Sequence, residues 1–331
     1  MKWLAIETSC DETACAIVED GCLVHASIVA SQIQNHAGFG GVVPELAARM
    51  HTETINAVID QTLKTASMSL QDIEGVAVTQ GPGLEGCLLI GLTAGKVLSA
   101  TLTIPFVGVH HHLGHLYSCF LTEHPPSFPF LALIVSGGHT QLVEMKAHLR
   151  CTVLAKTRDD AAGEAFDKVA RILGLGYPGG PEIEEVAKQG NCEAFSFPRA
   201  MKHDDTAFSF SGLKTAVMQT VKTLSSPLPA ADLCASFQQA VFDSLIQKTL
   251  STAKKKNLSC VGLCGGVSAN QTLAHQLEQA CHKEGIRLVV PPKQYCTDNA
   301  AMIGVAGHFI YTLQGQTPLT CEVKPRLELT I

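Results

Sequence analysis

A chain of 331 residues exceeds what one hydrophobic core usually serves, so two domains are expected. Hydrophobic residues make up 46% and charged residues 16%, which excludes a disordered chain. With 30 acidic against 24 basic residues, the net charge of −6 argues against unaided, tight binding of nucleic acid.

The opening run Trp3-Leu4-Ala5-Ile6-Glu7-Thr8-Ser9 reads as a strand ending in a polar turn. Strands over 13–18 and 23–29 complete a meander. Pro44 opens a helical pattern to about residue 64, with proline in the first turn where its missing N–H is harmless. Residues 76–78 form a short buried strand, Gly81-Pro82-Gly83 breaks it, and a helix covers about 84–103. A strand over 106–109 leads straight into His110-His111-His112. The run 130–135, the turn Ser136-Gly137-Gly138 and the strand 140–145 then echo the N-terminal strand–turn–strand, which suggests a duplicated unit. Helices are expected over 161–173, 182–188, 213–221 and 231–255. A strand over 260–263, Gly265-Gly266, a helix from Ser268, a strand over 287–290 and a last helix from Thr297 close the chain. The boundary between lobes falls near Pro125-Pro126, giving 1–125 and 126–331.

Thirteen cysteines form no CxxC pair, and several sit in apolar runs, as Cys87 and Cys264 do. Such thiols read as reduced core residues of a cytoplasmic protein, and Cys260 with Cys264 as packing rather than metal ligands. No segment approaches the roughly 20 apolar residues of a membrane span. Glu7, Asp11 and Glu12 stand where a signal peptide needs an apolar run. The basic run Lys254-Lys255-Lys256 reads as a solvated helix face.

Small turns carry the first chemical signal. Ser136-Gly137-Gly138 lies between two strands, where backbone N–H groups can converge on an anion. Gly265-Gly266 precedes a helix with Ser268 as its expected N-cap, and a helix N-terminus favours phosphate or ribose oxygens. With Asp11 in the first hairpin, these turns match the three-part nucleotide grip of actin-like ATPases. The chain contains no P-loop GxxxxGK[ST]. His111 and His115, four apart, share one helical face and can bind one cation, although His112 with His115 is a competing pair. Asp298 is the candidate third ligand, and an N-cap role would equally explain an Asp there. Two imidazoles and a carboxylate suit zinc or ferrous iron with positions left open. The acids Asp159, Asp160, Glu164 and Asp167 surround Ala161, Ala162 and Gly163 at the head of a helix, where the small residues would let a ligand approach. Tyr177-Pro178-Gly179-Gly180-Pro181 reads as a loop or a rigid wall beside a ribose.

These segments resemble one family in order from about residue 3 to residue 310. They include Ile6-Glu7-Thr8-Ser9-Cys10-Asp11-Glu12-Thr13, Gly40-Gly41-Val42-Val43-Pro44-Glu45, Gly81-Pro82-Gly83 and Val135-Ser136-Gly137-Gly138-His139-Thr140. Phe208-Ser209-Phe210-Ser211-Gly212-Leu213-Lys214, Gly265-Gly266-Val267-Ser268-Ala269-Asn270 and Cys296-Thr297-Asp298-Asn299 belong to the same set. The chain is similar to the tRNA threonylcarbamoyladenosine (t6A) transferases, the TsaD family, once described as sialoglycoprotein endopeptidases. The resemblance implies an α/β, two-lobed actin-like ATPase fold with a duplicated mixed-sheet core. It implies transfer of a threonylcarbamoyl group from threonylcarbamoyl-AMP to the exocyclic amine of the adenosine beside the anticodon. It further implies one Fe2+ or Zn2+ held by His111, His115 and Asp298. Ligand contacts would come from Ile134, Val135, Ser136, Gly137, Gly138, Asp167, Gly180, Glu184 and Asn270, with ATP, ADP or AMP able to occupy the site. Glu184 stands where many members carry Asp. The implied partners are tRNA, a TsaB-type paralogue and a TsaE-type ATPase, with the adenylate supplied by a TsaC-type synthase. Glu12 and Asp11 are the candidate general bases. A metalloprotease is the main alternative, but the Glu of HExxH is missing after His111. A sugar or acetate kinase of the same superfamily would not need the paired histidines, and a TsaB-type scaffold would lack them.

Overall fold

A computed structural model of the chain describes residues 1–200, 204 and 206–329. In chain order the elements are β1 (Lys2–Glu7), β2 (Glu12–Glu19), β3 (Leu23–Ser31), α1 (Ile33–Ala37), α2 (Pro44–Ala66), β4 (Gly75–Gly81) and α3 (Glu85–Leu102). Then come β5 (Phe106–His110), α4 (His111–Ser118), β6 (Phe130–Val135), β7 (Thr140–Ala147), β8 (Arg150–Thr157), α5 (Ala162–Ile172) and α6 (Gly179–Ala187). The chain continues through β9 (Ala207–Phe208), α7 (Ser211–Thr223), α8 (Ala230–Lys255), β10 (Cys260–Cys264), α9 (Gln271–Lys283), β11 (Arg287–Val289) and α10 (Ala300–Gln314).

The chain divides into two compact units. Met1–Pro125, His148–Arg150 and Pro291–Ile331 form the first, and Pro126–Ala147 with Cys151–Val290 form the second. The expected C-terminal lobe of 126–331 therefore differs from the second unit at its end. The last helix is apolar along most of its length, and it buries that surface on the first sheet.

The first unit holds a five-stranded sheet in the order β3-β2-β1-β4-β5. β1 runs antiparallel to β2 and parallel to β4, and β4 runs parallel to β5. Side chains alternate across a strand, so Leu4 and Ile6 pack toward α2 and α3, while Ala5 faces α10. Being covered on both faces, β1 reads as a continuous apolar run rather than an alternating one. Among the described residues, α3 alone is long and apolar enough by composition to cross a membrane, a test that the core helix of a folded domain also passes. Its apolar side is used here against β4 and α2, with Leu88 and Leu92 buried. The C-terminal segment bonds to β5 and to the end of β4: Thr317 N–H donates to Phe106 O (2.8 Å), and Lys324 N–H donates to Gln80 O (2.8 Å).

The second unit holds a six-stranded sheet in the order β11-β10-β6-β7-β8-β9. Its first five strands, read as β8-β7-β6-β10-β11, repeat the order of the first sheet. β6–β7 is antiparallel like β1–β2, and β6–β10 is parallel like β1–β4. That is the duplicated mixed-sheet core expected from the echo of strand and turn. Phe166, Phe237 and Phe242 fill the layer between this sheet and α5 and α8. β8, β9 and α1 have no counterpart in the sequence reading, because Arg150–Thr157 mixes charged and apolar residues without a strict period.

Helix α10 lies close on the first sheet because it presents glycines. A Cβ on Gly307 would stand 2.5 Å from Ala77 Cβ, and one on Gly304 would stand 2.6 Å from Val18 Cγ2. Gly307→Leu should therefore overpack this layer and lower unfolding free energy by about 1–3 kcal/mol. In α7, a Cβ on Gly212 would meet no atom within 4 Å, so Gly212→Ala should be neutral or slightly stabilising. Chemical denaturation of both variants tests the contrast.

Candidate metal centre and nucleotide loops

Three parallel strands of the first unit end at one edge of its sheet, and each delivers a polar group there. β1 ends in Glu7, its register partner region on β4 supplies Thr79, and β5 runs into α4 with His111 as its first residue. The carboxyl ends of parallel strands are where such folds place ligands. All eight residues of α4 are buried, and His110 caps it by accepting from His112 N–H (3.1 Å). The four-residue spacing of His111 and His115 brings their ring centroids to 4.7 Å. His112 lies beside His111 (5.9 Å between centroids) but is not among the converging ligand atoms, so the competing three-apart pair is not the one formed.

Asp298 completes the group. One of its oxygens stands 3.2 Å from His115 Nε2 and 3.6 Å from His111 Nε2. One ligand atom from each of the three residues lies within 4.8 Å of the others. The capping explanation of Asp298 fails, because α10 starts later than expected and Asn299 is its N-cap, accepting from Met302 N–H (3.0 Å). His115 is 1% exposed, and neither of its ring nitrogens makes a hydrogen bond. A buried imidazole without hydrogen bonds is costly unless something else engages its nitrogen. The residues present thus fit a divalent cation with two imidazoles and one carboxylate.

Electrostatics point the same way. Burial opposes charge on His111, but the Asp298 and Glu7 carboxylates outweigh it and push its pKa up to about 9. Burial, then the charges of Asp298 and Asp11, hold the Glu12 carboxyl well above the usual carboxylate range. Burial and the same two acids also raise the Cys10 thiol. The cluster carries an excess of negative charge that a cation would relieve. His51 fixes the hairpin turn carrying these acids, with Nε2 donating to Cys10 O (2.9 Å) and Nδ1 at 2.7 Å from Thr13 Oγ1.

In the second unit, the Ser136-Gly137-Gly138 turn is held by Ser136 N–H donating to His139 O (2.8 Å) and His139 N–H to Ser136 Oγ (3.1 Å). Cβ atoms built on Gly137, Gly138 or Gly180 would meet nothing within 4 Å, so these glycines face open space. Gly163 is different. Its Cβ would stand 2.6 Å from Ser136 O, so its smallness lets α5 pack on the turn, and its N–H donates to Ser136 O (3.2 Å). The acidic head of α5 is likewise a frame. Asp159 accepts from Ser209, Phe210 and Ser211 at the start of α7, while Asp160 pairs with Lys168 (2.8 Å) and Lys214 (3.0 Å). Asp167 accepts from Gly179 N–H (2.8 Å), tying α5 to α6.

Ile134 and Val135 have fully buried side chains, so only their backbone is available to a ligand. Gly265 has φ of +90° and would place a Cβ 2.5 Å from Val135 O. The helix expected from Ser268 begins instead at Gln271, after a 3-10 turn over Gly266–Ala269. Its N-cap is Asn270, which accepts from Leu273 N–H (2.9 Å) and donates to Gln238 Oε1 (3.2 Å). Glu184 accepts from Gln271 N–H (2.9 Å). Lys254 pairs with Glu284 at the end of α8, and Cys260 and Cys264 are buried in β10 as free thiols, like all thirteen cysteines.

A family model described as tRNA N6-adenosine threonylcarbamoyltransferase matches residues 24–305. A relative of that name from Thermosipho melanesiensis is 50% identical over 327 residues, covering 98% of this chain and 99% of its own length. Another from Moorella thermoacetica is 49% identical over 330 residues, covering 98% and 96%. The chain belongs to this family. Full-length HypF in its phosphate- and nucleotide-bound form is 14% identical with a TM-score of 0.64, covering 96% of this chain and 56% of that one. Component A of the Acidaminococcus fermentans (R)-2-hydroxyglutaryl-CoA dehydratase is 15% identical with a TM-score of 0.53, covering 93% and 98%. These likenesses establish the actin-like ATPase fold. Family members are metal-dependent, in keeping with the candidate triad.

Metal binding should release protons. With a pKa raised to about 9, His111 is charged at pH 7.5, and coordination requires its neutral form. Zinc affinity should therefore rise with pH up to about 9 and level off above it. Zinc titration calorimetry at pH 7.5 in two buffers of different ionisation enthalpy measures the release. In parallel, Asn299→Ala should cost about 1 kcal/mol of stability while keeping metal. Asp298→Asn should lose metal and keep the cap, as metal content and melting curves will report.

Proposed function

We propose that this chain transfers the threonylcarbamoyl group of threonylcarbamoyl-AMP to the exocyclic amine of the adenosine at position 37 of tRNAs reading codons that begin with A. The products are t6A and AMP. The observation that carries this reading is the near-full-length identity of about 50% to relatives bearing that name. The His111–His115–Asp298 cluster adds to it, since a scaffold paralogue would not need one.

The donor is a mixed anhydride, so its carbamoyl carbon is already activated. The amine forms a bond to that carbon, the bond to the phosphate oxygen breaks, and the amine proton must leave. A zinc or ferrous ion held by His111, His115 and Asp298 would supply positive charge for oxygens that become more negative as AMP departs. Glu12 and Asp11 are the candidate acceptors of the amine proton. Burial and the charges of Asp298 and Asp11 raise the Glu12 carboxyl, which makes it a stronger base than an ordinary carboxylate.

In the second unit, the free faces of Gly137 and Gly138 offer backbone N–H groups to a phosphate. Ile134, Val135 and Ser136 would contribute through the same strand end and turn. Asp167, Gly180, Glu184 and Asn270 would surround the nucleoside, with Asp167 and Asn270 already oriented by Gly179 N–H and Gln238. The net charge of −6 supports a need for partners in tRNA binding, of the TsaB and TsaE types, with the adenylate made by a TsaC-type synthase. Thirteen free thiols support a reducing, cytoplasmic setting.

Gly137→Val tests the reading, because its side chain enters open space and leaves the fold intact while blocking the phosphate. It should weaken AMP binding at least tenfold, about 1.4 kcal/mol. Calorimetry with AMP and incorporation of labelled threonine into tRNA by the protein with its partners measure the two effects. A wild-type protein that binds no adenine nucleotide in its metal-loaded form would sink the transferase reading.

A further inference from the structure

We propose that Glu7 is a positioning residue for the metal centre: its carboxylate holds the proton of His111 on Nδ1 and so aims Nε2 at the metal position beside Asp298. The inference rests on the reading of His111, His115 and Asp298 as ligands. Glu7 is 1% exposed at the end of β1. One of its oxygens, Oε2, accepts from Thr79 Oγ1 (2.6 Å) and lies 3.0 Å from His111 Nδ1. The other, Oε1, accepts from Ser9 N–H. Ser9 Oγ stands 3.2 Å from the same His111 nitrogen.

These contacts leave the carboxylate little freedom. Thr79 and Ser9 fix its plane, and His111 Nδ1 then faces a carboxylate oxygen that accepts but cannot donate, so the bond between them needs the proton on Nδ1. With Nδ1 carrying that proton, neutral His111 has its lone pair on Nε2, which is the nitrogen facing Asp298 at 3.6 Å. A carboxylate behind a metal-binding histidine fixes both tautomer and ring orientation, and loss of such a partner typically costs 10–100-fold in metal affinity. His115 has no equivalent partner, as its Nδ1 makes no hydrogen bond. The two ligands therefore differ: His111 has a carboxylate behind its Nδ1, and His115 has no hydrogen-bond partner there.

The test uses the full chain and zinc as the probe. In Glu7→Gln the amide can offer its NH2 group to His111 Nδ1, which favours the tautomer protonated on Nε2. Competition with a chelator should show a zinc Kd weakened 10–100-fold, and circular dichroism should report whether the variant is folded. Independently of any variant, long-range proton–nitrogen NMR of the zinc-loaded wild type should find His111 protonated on Nδ1. A folded Glu7→Gln that holds zinc within twofold of wild type, or a zinc-loaded wild type with unprotonated Nδ1, overturns the inference alone. A wild type that takes up no zinc overturns the ligand assignment and this inference with it.

Discussion

Buried negative charge at one edge of the first sheet is the constraint around which this unit is arranged. Glu7, Asp11, Glu12 and Asp298 lie close enough to influence one another or the imidazole of His111. A buried charge left without a partner costs several kcal/mol, so such a group persists only when it is balanced. Within the protein the balance falls on His111, which is pushed toward its charged form, and on Glu12, which is pushed toward its neutral one. Both displacements follow from several acids packed with little solvent around one imidazole. The supporting structure follows from the same need. β1, β4 and β5 must be parallel and adjacent for Glu7, Thr79 and His111 to meet, and α10 must return to this unit to deliver Asp298.

The second unit solves a different problem with the same strand order. Its Ser136-Gly137-Gly138 turn carries no charged side chain, and its rigidity comes from contacts with neighbouring elements. Gly163 seats α5 against Ser136 and Gly137, and Thr140 Oγ1 accepts from Ala162 N–H (2.9 Å) at the same junction. Asp159 and Asp160 then secure the head of α5 to α7, and Asp167 secures its next turn to α6. The acids that look in sequence like a ligand-binding cluster are mostly engaged with the protein itself. These bonds hold the turn while leaving the space beside Gly137 and Gly138 open.

The sequence made the larger elements legible because their periodicity is strong. The buried strands are short apolar runs, and α2, α3 and α8 lie within a few residues of their expected ends. The histidine pair was legible through its four-residue spacing on a helix, and Asp298 through its position in a recognised segment. What was not legible depended on atoms that meet only after folding. The head of α10 holds two capping residues in succession, and composition cannot say that Asn299 rather than Asp298 takes the N–H group. The same ambiguity moved the start of α9 from Ser268 to Asn270. Gly163 looked like room for a ligand, but its contact is with a turn some 27 positions earlier in the chain. Glu7 left one signal, a charged residue ending an otherwise apolar strand, and only the proximity of Thr79 and His111 gives that charge a meaning.

The two sheets therefore show how one strand order accommodates different chemistry without changing its frame. In both units the central strand is paired antiparallel to the next in sequence and parallel to a later one, so its carboxyl end opens between connections running in different directions. In the first unit that end carries Glu7-Thr8-Ser9, whose groups point into a charged, buried cluster. In the second it carries Ser136-Gly137-Gly138, whose side chains are minimal and whose backbone is exposed. A glycine at the position of Glu7 would leave His111 without its acceptor, and a carboxylate in the second turn would repel a phosphate. The equivalent frames thus present different groups at the same place: a charged, buried cluster in the first unit and an exposed glycine turn in the second.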